Sequence, residues 1–136
     1  LGNLYLLFSE MVSDRDVASE SRNKDCISQA IKLINENYWQ DITIAYVARY
    51  VGLERTYFYR LFKSSMSLSP QEYLIATRLS KAMILLKDTS LKLGEISTKV
   101  GYENYISFVK VFKKKYGITP KEYRDHPWET TKTSNI

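Results

Sequence analysis

The chain has 136 residues, 44% hydrophobic and 26% charged, with a formal charge of +5. That length supports one domain, or two small lobes with modest cores. No 18-residue apolar run and no secretion signal is present, so a cytoplasmic protein without a membrane partner is expected; a single cysteine, Cys26, rules out an internal disulfide and argues against a cysteine-rich zinc site.

The charge is uneven. Residues 1–23 hold two Lys/Arg and four Asp/Glu, whereas residues 24–136 hold eighteen and eleven. A basic balance over 24–136 suits a polyanion, although charge alone does not separate DNA from RNA or a membrane surface. Leu4, Leu7, Phe8, Met11 and Val12 follow the spacing of an amphipathic helix. A helix this short is marginal in water and needs a partner surface. Residues 13–23 are polar and read as a linker. With Leu1 in place of an initiator Met, residues 1–23 are expected to be the terminal helix and linker of another domain.

From Lys24 onward, Ile27, Ala30, Ile31, Ile34 and Tyr38 mark a helix over about 25–38, with Cys26 half-buried on it. Trp39, Gln40 and Asp41 form a turn. Then comes a stretch that occurs twice, over 42–73 and again over 93–123. Val51-Gly52 matches Val100-Gly101, Phe58 matches Phe108, Phe62-Lys63 matches Phe112-Lys113, and Pro70 to Tyr73 matches Pro120 to Tyr123. The glycines are one residue closer together than the other pairs, so one residue is inserted between Gly101 and Phe108. A repeat of this period calls for two copies of one supersecondary unit.

Within each copy the pattern is helix, glycine, helix. Ile44, Val47, Ala48 and Val51 lie on one helical face, as do Leu93, Ile96 and Val100 in the second copy. Gly52 stands where a helix must stop and turn. Phe58, Leu61 and Phe62 then give the buried side of a second helix. This is the pattern of a helix-turn-helix, whose second helix can enter a major groove; a plain helical hairpin shares it. The outward residues of that second helix are Arg55, Thr56, Tyr59, Arg60 and Lys63 in the first copy. In the second they are Tyr105, Ile106, Val109, Lys110, Lys113 and Lys114. Such side chains reach guanine edges, phosphates and thymine methyls. A solvated charged face is the bland alternative, but Tyr59 beside Arg60 favours contact.

Between the copies, Ser69 and Glu72 make a capping box with Pro70 at the first helical position, a device repeated at Thr119, Pro120 and Glu122. The helix from Pro70 to about Lys87 spans about 27 Å at 1.5 Å per residue. A connector of that length could set two recognition helices one DNA turn, about 34 Å, apart. Arg78 on it could ion-pair between the lobes or touch phosphate, and the structural role is favoured. Lys113, Lys114 and Lys115 suit the C-terminal end of a helix dipole and also phosphate contact. Residues 126–136 show no periodicity and are expected to be a flexible tail carrying the one histidine.

The segments VARYVGLERTYFYRLFK, SPQEYLIATRLSKAMILL and ISTKVGYENYISFVKVFKKKYGITPKEYR together resemble the AraC/XylS family of transcription regulators over about residues 24–125. The resemblance implies an all-α fold, with two homeodomain-like helix-turn-helix subdomains (24–69 and 88–125) joined by a long connector helix (70–87). It implies a DNA-binding domain of a bacterial regulator, an activator through RNA polymerase. It also implies base-reading roles for Arg55, Thr56, Tyr59 and Arg60, and for Tyr105, Ile106, Val109 and Lys110. Three positions depart from the family pattern: Lys110 where Arg is usual, Val109 where a small polar residue is usual, and Ser107 where an aromatic is frequent. Lysine lacks arginine's planar fork, so the residues leave two readings of the second motif open: base reading, or a hold on the backbone alone. In the family a sensing and dimerisation domain precedes this unit and binds an effector. Residues 4–12 would then be its last helix; they could equally fold back on the DNA-binding unit or pair two copies of the chain.

No metal-ligand spacing, phosphate-binding glycine loop or acid–base pair appears, so no cofactor and no enzyme activity is expected. Some family members carry repair chemistry on a reactive cysteine, but Cys26 lacks a basic neighbour pattern. A helical module whose basic, aromatic face binds an acidic protein is the alternative function.

Overall fold

The computed structural model describes residues 2–126, with side chains from Val17 onward. Those residues form seven α-helices and no strand: α1 (Gly2–Asn37), α2 (Ile44–Tyr50), α3 (Arg55–Met66), α4 (Pro70–Asp88), α5 (Leu93–Lys99), α6 (Tyr105–Tyr116) and α7 (Pro120–Asp125). They fall into two compact units. The first comprises residues 1–34 and 44–70, the second 35–43 and 71–136. The division thus differs from the expected boundaries: residues 35–43 and nearly all of α4 belong with the second unit.

Residues 13–23, read as a linker from their polarity, are helical and continuous with the helix after them. Neither glycine nor proline occurs between Asn3 and Val51. Ser, Asp and Asn lower helix propensity by only tenths of a kcal/mol each, too little to interrupt the helix over residues 13–23. The expected apolar face over 4–12 and the tail over 127–136 lie outside the described residues and side chains.

In the first unit Ile27, Ala30 and Ile34 of α1, Val47 and Ala48 of α2, and Phe58 and Phe62 of α3 are buried. Cys26 is buried as well, its Sγ 3.6 Å from the Val51 carbonyl oxygen. That environment shields the thiol. The Phe58 and Phe62 rings meet edge-on at 5.7 Å, a favoured aromatic geometry.

The second unit has its core in Leu79, Ala82 and Leu86 of α4, Ile96 of α5 and Val100 just after it, Phe108 and Phe112 of α6, and Tyr123 of α7. Tyr38 packs against the edge of this core. Two arginines tie the unit together through main-chain carbonyls. Arg78 donates to Tyr38 O (2.8 Å) and Gln40 O (3.0 Å). Arg124 of α7 donates to Leu86 O (3.2 Å), Thr89 O (3.3 Å) and Leu91 O (2.6 Å), gathering the loop that follows α4. Charged donors on carbonyls hold more strongly than neutral ones.

Candidate nucleic-acid interface

The two turns are built alike. Gly52 and Gly101 both have positive φ, +76° and +104°. Leu53 N donates to Ala48 O and Tyr102 N to Ser97 O, each at 2.9 Å, the six-to-one bond that closes a helix on a glycine. Leu53 therefore corresponds to Tyr102. The inserted residue is Glu103, just before the cap of α6.

Both recognition helices start on a side-chain cap and end on a left-handed residue. Glu54 caps α3, accepting from Thr56 N (3.0 Å) and Tyr57 N (2.9 Å). Those two backbone donors, with a smaller contribution from Arg60's charge, hold its carboxyl below the usual carboxylate range. At the matching place on α6, Asn104 Oδ1 accepts from Ile106 N at 2.8 Å. One recognition helix thus begins on a carboxylate and the other on a neutral amide. The C-terminal residues are Ser67 (φ 62°) and Gly117 (φ 81°), each returning its N–H to the lysine four residues back.

With Phe58 and Phe62 fully buried, α3 turns Arg55, Thr56, Tyr59, Arg60 and Lys63 to the outside, all of them exposed. They recur at the spacing of one helical face. Lys63 Nζ lies 5.8 Å from the Tyr59 ring centroid, so the ammonium and the ring share one patch. Tyr57 is exposed too, its hydroxyl 3.4 Å from Asn23 Oδ1.

On α6, Phe108 and Phe112 are buried in the same frame. Tyr105, Ile106, Lys110, Lys113 and Lys114 are exposed, whereas Val109 is half-buried. Ile106, at 63% exposure, has no core to serve. An isoleucine in that position, beside Tyr105 and Lys110, offers an apolar contact of the kind a thymine methyl makes. Lys113, Lys114 and Lys115 crowd the last turn. Each face belongs to its own unit.

Sequence reasoning missed Glu54 as the cap of α3. The signal was present, since an acidic residue directly before a helix can bond its first amides. Among the described residues no group of three or more His, Cys, Asp or Glu is placed to hold a metal ion, and no helix is long and apolar enough to cross a membrane.

Known proteins with this arrangement were found by both sequence and structure. The helix-turn-helix domain family matches residues 47–126. The lactose operon transcription activator of Staphylococcus xylosus is 41% identical over 104 residues, covering 76% of this chain and 37% of that protein. The Msm operon regulatory protein of Streptococcus mutans is 30% identical over 128 residues, 91% of this chain and 46% of that protein. The chain thus spans less than half the length of these relatives. Among solved structures, the C-terminal domain of AraT, a response regulator from Geobacillus stearothermophilus, is 32% identical with a TM-score of 0.71, covering 74% of this chain and 84% of that one.

Proposed function

The chain belongs to the AraC/XylS family of helix-turn-helix transcription regulators and carries its DNA-binding domain, and on that premise we propose that it reads promoter DNA by laying α3 and α6 into successive major grooves. The observation that carries this reading is the repeated frame. Each of the two helices sets a pair of phenylalanines inward and an exposed basic, aromatic or apolar set outward. Arg55, Thr56, Tyr59 and Arg60 would read bases from α3, with Lys63 on phosphate. On α6, Tyr105, Ile106, Lys110 and the rim of Val109 would face the groove, with Lys113 and Lys114 on the backbone.

Residues 1–23 would join this domain to a preceding effector-sensing domain, with residues 4–12 a further candidate for pairing two copies of the chain. The relatives' names include regulators of lactose, raffinose, melibiose and xylose operons. Those names suggest a sugar-utilisation operon as the setting; activation there in the cytoplasm, through RNA polymerase and in response to a sensed sugar, is part of this proposal.

The test is selection of bound sequences from a random duplex pool at near-physiological salt. Two short motifs about one helical turn apart are expected. One motif beside a featureless stretch would reduce α6 to a backbone clamp. A second reading is a helical module for an acidic protein. It draws on Tyr46 and Tyr50 of α2, both exposed with ring centroids 6.5 Å apart and on neither recognition helix. That reading takes over if the pool yields no enrichment and modest salt abolishes retention on duplex DNA.

A further inference from the structure

The second unit holds an arginine that donates hydrogen bonds to main-chain carbonyls. Arg78 is half-buried on α4. Its Nε and Nη2 take the carbonyls of Tyr38 and Gln40, just past the end of α1. Its guanidinium carbon also lies 5.4 Å from the centroid of the Tyr102 ring. Tyr102 stands in the α5–α6 turn, next to Gly101. A Cβ added at Gly101 would stand 2.7 Å from Tyr38 O and 2.8 Å from Arg78 Nε. One guanidinium therefore joins three segments: the 38–40 strap after α1, the middle of α4, and the turn that launches α6.

Tyr102 passes this constraint on. Its ring lies 5.6 Å from Phe108, the first core residue of α6. Its hydroxyl is enclosed beside the Arg78 guanidinium, with no hydrogen bond of standard geometry among the described residues. Burial pushes the phenol's pKa up, with the neighbouring Arg78 charge opposing. Among the described residues, the first turn has no such clasp. Gly52 has open space where its Cβ would be, and Leu53 replaces Tyr102.

We propose that Arg78 is a positioning residue for the second recognition helix: by clasping residues 38–40 against Gly101 and Tyr102, it fixes where α6 begins and hence which bases it meets. The proposal rests on the reading that α6 faces bases. The planar fork is essential to it. An ammonium carries its donors on a single nitrogen and lacks the flat fork that reaches two carbonyls from separate nitrogens while lying along a ring.

The test uses the whole chain with Arg78→Ala and Arg78→Lys, the second guarding against a misfolded first. Two readouts are taken, amide hydrogen exchange in the free protein and base preference from duplex selection. Exchange over residues 101–107 should accelerate by about tenfold or more in both variants, while residues 52–57 keep wild-type rates. Preference at the positions read by α6 should flatten by about fivefold in both, with the α3 motif and the salt slope unchanged. Wild-type behaviour of Arg78→Lys would show that charge alone suffices and would overturn the clasp. So would equal loss on all sequences with a shallower salt slope, which marks a phosphate contact. Uniformly faster exchange in both motifs would mark an ordinary stabilising role and overturn it as well. If the wild-type chain itself selects only the α3 motif, base reading by α6 has failed, and the exchange rates alone decide the clasp.

Discussion

Alanine at the two turn glycines should separate backbone strain from close packing. Gly52, at φ +76°, has nothing within 4 Å of a built Cβ. Gly52→Ala therefore meets only the left-handed penalty, about 1–2 kcal/mol, reduced by the stiffer unfolded chain. Gly101, at φ +104°, lies well outside the left-handed well near +57°. Its Cβ would also press on a backbone oxygen at 2.7 Å, which cannot swing aside as a side chain could. Relief requires moving residues 38–40 off Arg78, at about 1.5–3 kcal/mol for each charged hydrogen bond weakened. Gly101→Ala should thus cost about 3–5 kcal/mol, at least twice the Gly52→Ala value. Two units need not unfold as one, so native-state amide exchange, read separately around Phe62 and Phe112, is the suitable assay. Equal costs at the two glycines would refute the claim that the second turn is pinned by packing.

Arg60→Ala should cost about 1–3 kcal/mol on selected DNA and relax one base position, measured by titration against matched and random duplexes; equal loss on both would end its base-reading role. Lys113→Ala should weaken every sequence alike and lower the salt-dependence slope by about one. Ser67→Gly should raise stability by about 0.5–1 kcal/mol without altering DNA binding, because serine holds a left-handed cap where the second copy has Gly117. A lower melting temperature would contradict that. Glu54 gives α3 a pH response. Its folded pKa is lowered from 4.5, so its contribution is complete above that value and is lost as pH falls through the lowered folded one. The Thr56 and Tyr57 amide resonances should shift with acidification, and Glu54→Gln should abolish the response.

Whatever recurs in the chain was legible from it. The paired phenylalanines, the turn glycines and the Thr119 cap, which accepts from Glu122 N at 3.1 Å, all sit where spacing put them. These features are set by contacts a few residues apart, which periodicity records. What could not be read depends on partners distant in sequence. Arg78 binds carbonyls 38 and 40 residues away, and Arg124 others 33 to 38 away. A main-chain carbonyl has no residue type, so no pattern announces such a bond. Residues 13–23 misled for a different reason: polarity measures how little a segment can bury, and a polar segment without glycine or proline can still continue a helix that is anchored elsewhere. Val109 was placed outward by its position, but its small apolar side chain is half-buried.

The Arg124 contacts also bear on how the chain is made. The first unit has all of its residues once Pro70 is synthesised, but residues 35–43 belong to the second. They must wait for α4, and the loop after α4 waits in turn for Arg124. At 5–20 residues per second, the fifty or so residues between Pro70 and Arg124 take roughly 3–10 s to emerge. During that interval α2 and α3 can settle beside a strap that has no home. A nascent regulator would therefore own one finished DNA-reading head before the other exists.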